Sequence, residues 1–354
     1  MPRAIAPQTT TVPQAWPDGS AWVAESPASW TAGVPDVPSV TVVSTELAED
    51  GSAATGSAGY APESSATVSS GGFPMETPEP TPFSIVWISD TQSMAYCHYT
   101  DALESMGRWI VDEREEQNIL YVVQTGDAVE NGFSDWQWKN YDTCYDQFKG
   151  VLPYFGIAGN HETGMKRHSY EGYLARPNVS SIPRRNSFER GRAAYATFRA
   201  GGTDFLILGA GWDSELMAVD WMNDVLKTHP NSVAILLFHG YIQTNGTYTV
   251  VGKKMFEQVV KPNPNVRLVL CGHVLGTSVR FEDVDDNADG TADRRVTALM
   301  YNYQDAGQDC GQLRLLTFNP VQHSMRVLTY SPYHKRYYRD YTYSSSDFLL
   351  DNVF

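Results

Sequence analysis

No run of this sequence comes near the roughly 20 consecutive apolar residues that span a bilayer, so no transmembrane helix is expected. The opening residues, Met1 to Pro7, hold no apolar core of the kind a secretion signal needs. Cysteine is scarce: four residues, at 97, 144, 271 and 310, with no C-x-x-C pair, which excludes a zinc ribbon or a thioredoxin motif. Cys97 with Cys144 is the best-placed disulfide pair, and four free thiols is the equal alternative. Positive charge is also short, with 26 Lys+Arg against 41 Asp+Glu and a net charge of −15. Such a chain repels polyphosphate backbones, which excludes bulk nucleic-acid binding. Several catalytic signatures are missing. There is no G-x-x-x-x-G-K-[ST] loop, and Met165 stands where a zincin that starts at His161-Glu162 would need its second histidine. Gly56-Ser57-Ala58-Gly59 follows no strand and is no nucleophile elbow.

The 354 residues are 42% hydrophobic and 12% aromatic, which is a globular composition. It breaks near residue 82. Residues 1–82 contain 12 of the 20 prolines, nine acidic residues, one arginine and no lysine. A segment this poor in apolar surface cannot offset its ordering entropy, so it reads as a disordered tail or linker, with Trp16, Trp22 and Trp30 as candidate anchors of a small docking element. A long Pro/Ser/Thr/Ala tail suits an extracellular or cell-envelope protein whose export signal is absent from this chain. Residues 83–354 read as one catalytic domain.

From Phe83 short apolar runs alternate with amphipathic stretches, the α/β pattern. The runs are 83–89, 119–124, 152–157, 204–208, 232–238 and 266–271. Helices are predicted over 100–118, 133–149 and 213–228. After residue 275 strand follows strand, at 278–282, 296–303, 313–318 and 325–330.

The residues at the ends of these runs carry the chemistry. FSIVWIS ends in Asp90, ILYVVQ in Thr125-Gly126-Asp127, and the run through Ile157 in Gly159-Asn160-His161-Glu162. SVAILLF ends in His239 and VRLVLC in Gly272-His273. Ligands of open α/β sheets bind beyond the carboxyl ends of strands. Five such ends deliver carboxylate, amide and imidazole, a donor set suited to a divalent ion such as Zn, Fe or Mn.

This order of Asp90, GD, GNHE, a lone histidine and GH resembles the calcineurin-like metallophosphoesterase family over residues 83–354. The resemblance implies a four-layer α-β-β-α sandwich of two mixed sheets, and hydrolysis of phosphate mono- or diesters by a metal-activated water. It implies one complete metal position from Asp127, Asn160, His239 and His273. The second position would use Asp90, the shared Asp127 and two histidines, whose places are taken by Gln92 and Leu275. Leucine ligates nothing, and an amide oxygen is a weak donor for these ions. One tight site and a second that is weak or depleted are therefore expected, with Gln92 a weak ligand and His98, Asn302 or Gln304 as substitutes. In the family the histidine at the place of His161 protonates the leaving oxygen or stabilises the transition state. Glu162 and Glu130 read as supporting or surface groups.

Residues 166–192 carry seven basic side chains against two acidic ones, in an otherwise acidic chain. The segment starts four residues after GNHE and is expected to attract an anionic, small phosphorylated substrate, with Arg184 and Arg185 as contacts. The stretch Asp285–Asp293 opens like a calcium loop, but its twelfth position is Val296, and a polar hairpin turn is the better reading. The rival to an enzyme is a catalytically impaired relative that keeps the fold as a binding module, an alternative that Gln92 and Leu275 favour.

Overall fold

The computed structural model describes residues 80–163, 173, 186–304, 309–338 and 346–354. The predicted tail, apart from its last three residues, and Arg184 and Arg185 lie outside the described residues.

Two mixed seven-stranded sheets lie face to face. The first runs β13-β12-β11-β1-β2-β3, with β14 also on β12. Its strands are β1 (Phe83–Ile88), β2 (Ile119–Gln124), β3 (Tyr154–Gly156), β11 (Leu313–Asn319), β12 (Ser324–Ser331), β13 (Arg336–Tyr337) and β14 (Asp347–Leu350). β1, β2 and β3 are parallel, and β11 joins β1 antiparallel. The second sheet runs β4-β5-β6-β7-β8-β10-β9. It comprises β4 (Ser187–Phe188), β5 (Ala193–Ala200), β6 (Thr203–Ala210), β7 (Val233–Phe238), β8 (Val266–Cys271), β9 (Gly276–Val284) and β10 (Arg294–Asn302). β6, β7, β8 and β10 are parallel.

Strand alternation explains the layering. Phe83, Ile85 and Trp87 of β1 join Phe205, Ile207, Leu237 and Leu270 of the second sheet in one core between the sheets. Val86 and Ile88, on the other face, pack under Leu103, Met106 and Ile110 of helix α2 (Thr100–Asp112) and under α3 (Asp135–Phe148). On the far side Leu206, Leu208 and Leu236 meet Met222, Val225 and Leu226 of α5 (Val219–Thr228). Both faces of these strands are covered, so their sequences are nearly continuous apolar runs. The result is the expected four-layer sandwich.

A five-residue helix, α1 (Gln92–Tyr96), was not expected from the sequence, nor was α4 (Asn160–Thr163), α6 (Val250–Met255) or β5. Strand β5 reads AAYATFRA and is mostly half-buried, so it lacks the apolar signal of its neighbours. Among the described residues no helix is long and apolar enough to cross a membrane.

Of the two cysteine readings, the Cys97–Cys144 pairing is corrected and the alternative holds: all four cysteines are free thiols. Cys144 is buried on the inner face of α3, whereas Cys97 is exposed beyond α1. Burial pushes the Cys144 and Cys271 thiols up to about 12. The acidic stretch after β9 is a hairpin turn whose carboxylates serve its own backbone. Asp285 accepts from the N–H groups of Ala288, Asp289 and Gly290, and Asp293 from those of Asp286 and Asn287.

Candidate metal centre

The parallel strands β1, β2 and β3 of one sheet and β7 and β8 of the other place their carboxyl ends at one edge of the sandwich. Asp90, Asp127, Asn160, His239 and His273 all follow those ends within four residues. Two glycines permit this crowding. A Cβ on Gly159 would stand 2.1 Å from Asp127 Oδ1, and one on Gly272 would stand 2.1 Å from Asp90 Oδ2. Asp127 and His273 themselves hold positive φ, at 50° and 68°, a strained backbone that such sites concentrate.

Among the described residues Asp127, His239 and His273 bring one ligand atom each within 4.8 Å of one another. His239 is fully buried. Its Nδ1 lies 2.8 Å from the Thr125 carbonyl, which can only accept, so Nδ1 carries the proton. Nε2 then faces Asp127 Oδ2 at 3.1 Å and Asn160 Oδ1 at 3.0 Å. Three electron-pair donors thus converge with no donor hydrogen required between them, and a divalent cation satisfies all three. Without one, a second proton does so. Burial alone would push the His239 imidazole down, but the Asp127 carboxylate beside it holds it up at about 10. Burial and the neighbouring His239 push His273 down to about 4, which leaves a neutral ring with a free lone pair. Trp212 packs against both imidazoles, with ring centroids 5.7 Å from His239 and 4.8 Å from His273. Oxygen and imidazole donors in this number suit Zn, Fe or Mn, so the residues fit the implied ion.

The Asp90 side is different. Asp90 accepts from the His273 backbone N–H at 3.0 Å and from the Ser89 hydroxyl. Burial pushes its carboxyl up to about 7. Gln92 is fully buried, and its Nε2 donates to Asp127 Oδ2 at 3.3 Å while its Oε1 finds no hydrogen-bond partner among the described residues. Leu275 is 45% exposed. Of the substitutes named from the sequence, His98 and Asn302 are engaged by other groups. His98 bonds Asn140 and stacks on Trp136. Asn302 donates to the His273 carbonyl and accepts from the Gln304 N–H. Gln304 lines a small recess with Asp90.

His161 sits over the cluster with its Nε2 3.8 Å from Asp127 Oδ2. Its Nδ1 is held by the Glu130 carbonyl at 3.1 Å and the Glu130 carboxylate at 3.3 Å. Glu162 is a supporting group rather than a surface one. This buried carboxylate accepts from the N–H groups of Asp127, Val129 and Gly159, at 2.9, 3.1 and 2.7 Å, and so clamps the GD loop to the GNHE loop. Burial, and then the Asp127 carboxylate, push it up to about 7 against the Val129 and Gly159 N–H donors. Its place next to His161 was the available signal.

Residues 83–276 match the calcineurin-like phosphoesterase family. The chain is 37% identical over 274 residues to the uncharacterized protein YvnB of Bacillus subtilis, across 75% of this chain and 21% of that protein. It is 27% identical over 165 residues to a probable cyclic nucleotide phosphodiesterase of Moraxella catarrhalis, across 42% of this chain and 56% of the relative. The chain therefore spans about a fifth and just over half of these relatives' own lengths. A purple acid phosphatase, PPD1 from yellow lupin seeds, aligns at TM-score 0.47 and 13% identity, across 77% of this chain and 54% of that one. With more than half of its residues matched, the chain belongs to the calcineurin-like phosphoesterase family.

Proposed function

We propose that the protein is a metal-dependent hydrolase of phosphate mono- or diesters. The observation that carries this reading is the meeting of His239 Nε2, Asp127 Oδ2 and Asn160 Oδ1, with the His273 ring beside them. Asp127, Asn160, His239 and His273 would hold one tight divalent Mn, Fe or Zn ion. When bound, such an ion lowers the pKa of water and polarises a phosphoryl oxygen. Asp90 and Gln92 leave room for a second ion only as a weak, oxygen-ligated one.

His161 performs the proton transfer. The Glu130 carbonyl only accepts, so it fixes the proton on Nδ1 and turns Nε2 toward the cluster. From there Nε2, when protonated, donates to the leaving oxygen, and the Glu130 carboxylate steadies the charged ring. Glu162 keeps the loops of Asp127 and His161 in register. Arg184 and Arg185 attract and hold the anionic substrate, because a planar guanidinium matches phosphate oxygens two at a time. The Moraxella relative's designation, a probable cyclic nucleotide phosphodiesterase, supports an ester of phosphoric acid as substrate.

The test is hydrolysis of p-nitrophenyl phosphate and bis-p-nitrophenyl phosphate with added Mn or Zn. We expect turnover of at least one ester, abolished by a chelator and restored by the metal. No turnover with a metal demonstrably bound would sink the enzyme reading and leave the binding module.

A further inference from the structure

Several large exposed side chains gather where the end of α1 meets the start of α3. Tyr96 is 54% exposed and Trp136 is 42% exposed, with ring centroids 6.0 Å apart. The imidazole of His98 stacks on Trp136, with centroids 4.8 Å apart and planes 22° apart. Asn140 fixes that imidazole by a hydrogen bond to Nδ1 and also donates to the Ala95 carbonyl of α1. Tyr99 and Phe133, also exposed, extend the patch in sequence on either side. Three rings held open to solvent forgo burial that the core would reward, and a patch of this kind marks a binding surface.

The patch is anchored to the centre from two directions. Gln92, whose amide donates to Asp127, and Tyr96 stand at i and i+4 of α1, so they share a helix face about one turn, 5.4 Å, apart. The loop that leads to Trp136 begins with Glu130, which holds His161, and Gly132 donates its N–H to the His161 carbonyl. Both the helix that bears Tyr96 and the loop that leads to Trp136 are thus tied by hydrogen bonds to residues of the cluster.

We propose that Tyr96, His98 and Trp136 form a stacking platform for a planar ring on the phosphorylated substrate, as in a single nucleotide. This rests on the phosphoesterase reading. Flat aromatic faces bind flat rings through dispersion and quadrupole contact, with tolerance for which ring it is. The acidic chain disfavours a polynucleotide, so the ring belongs to a small ester.

The experiment is titration calorimetry of the Mn-loaded protein with inorganic phosphate, ribose 5-phosphate and adenosine 5′-monophosphate. The nucleotide should bind about tenfold or more tighter than either of the others, the range base stacking supplies. Trp136→Ala should remove that advantage and leave phosphate affinity and melting temperature unchanged, and Trp136→Phe should restore most of it. Equal affinity for ribose 5-phosphate and the nucleotide would overturn the platform, as would an equal loss for all three ligands in Trp136→Ala. If phosphate does not bind and no phosphate ester is hydrolysed, the phosphoesterase reading fails and the platform with it. If phosphate binds or esters are hydrolysed while the adenine adds nothing, the platform alone fails.

Discussion

The ends of β2 and β7 present atoms that lack a donor between them, whereas the end of β1 presents atoms that already have one. On the first side His239 Nε2, Asp127 Oδ2 and Asn160 Oδ1 crowd within 3.1 Å of the imidazole nitrogen, and only a proton or a cation relieves them. On the second side Asp90 takes a backbone N–H and a hydroxyl, and an amide N–H from Gln92 is spent on Asp127. The loops of both sides keep their glycines and their close approaches. The difference teaches that the two sides would meet a cation differently: the first converges acceptors that a cation would bridge, whereas the second has its carboxylate already served by hydrogen bonds and spends the Gln92 amide on Asp127.

The hardest blow to this comparison is removal of a ligand from the crowded side. Asp127→Ala or His239→Ala should lower kcat/KM by roughly a thousandfold or more, the several kcal/mol that metal assistance supplies, and should release the metal. His161→Ala should cost about 10²- to 10⁴-fold in kcat while elemental analysis finds the metal retained, since its proposed task is proton transfer. Equal metal loss in all these variants would make His161 a ligand.

The charge state of the crowded side gives the next test. With its pKa at about 10, metal-free His239 is a cation at neutral pH. Nε2 must lose its proton to ligate, while Nδ1 keeps the one it gives Thr125. His273, at about 4, is already neutral and contributes nothing. Above about pH 8, where the Asp90 and Glu162 carboxyls are already ionised, cation uptake should therefore release about one proton, and affinity should rise about tenfold per pH unit up to about pH 9. Calorimetry in buffers of different ionisation enthalpy reads the proton count. Uptake with no proton released would show that the ion binds elsewhere.

Rebuilding the poorer side sharpens the comparison. Gln92→His with Leu275→His supplies the two imidazoles that the family resemblance places at these positions. The metal content after dialysis should move from about one ion per chain toward two. Two tight ions in the unaltered protein would refute the contrast between the two sides.

Much of this was legible in the sequence. Strand ends that read D, GD, GNHE, H and GH sufficed to place five donors at one edge, because parallel strands share a carboxyl end. The strands with both faces buried were legible for the same reason, as continuous apolar runs. The rest was not legible because it depended on atoms rather than patterns. Glu162 follows His161 in the chain, but only the fold shows its two oxygens accepting from three N–H groups. Gln92 reads as a lost histidine, and only the fold shows its amide turned to Asp127. Cys97 and Cys144 looked alike in sequence, yet α3 turns one inward and the α1 terminus leaves the other in water.

The smallest expected effect isolates that amide. If its N–H substitutes for a missing cation, it stabilises the ionised form of Asp127 and steers that carboxylate toward the occupied position. Gln92→Leu keeps the bulk of a buried side chain and deletes the donor. Support of this kind around a ligand is worth about 10- to 100-fold in metal affinity or activity. We place this change at the lower end, because at 3.3 Å the contact is long for a hydrogen bond and three others also hold Asp127. Metal content should stay near one ion per chain, while the metal's dissociation constant rises about tenfold. Gln92→Glu supplies the contrary case, since it sets a second carboxylate against Asp127. There the ion already bound should be held no more weakly, and a second, oxygen-ligated ion such as Mn should become easier to add. An unchanged dissociation constant in Gln92→Leu would show that the amide merely fills space.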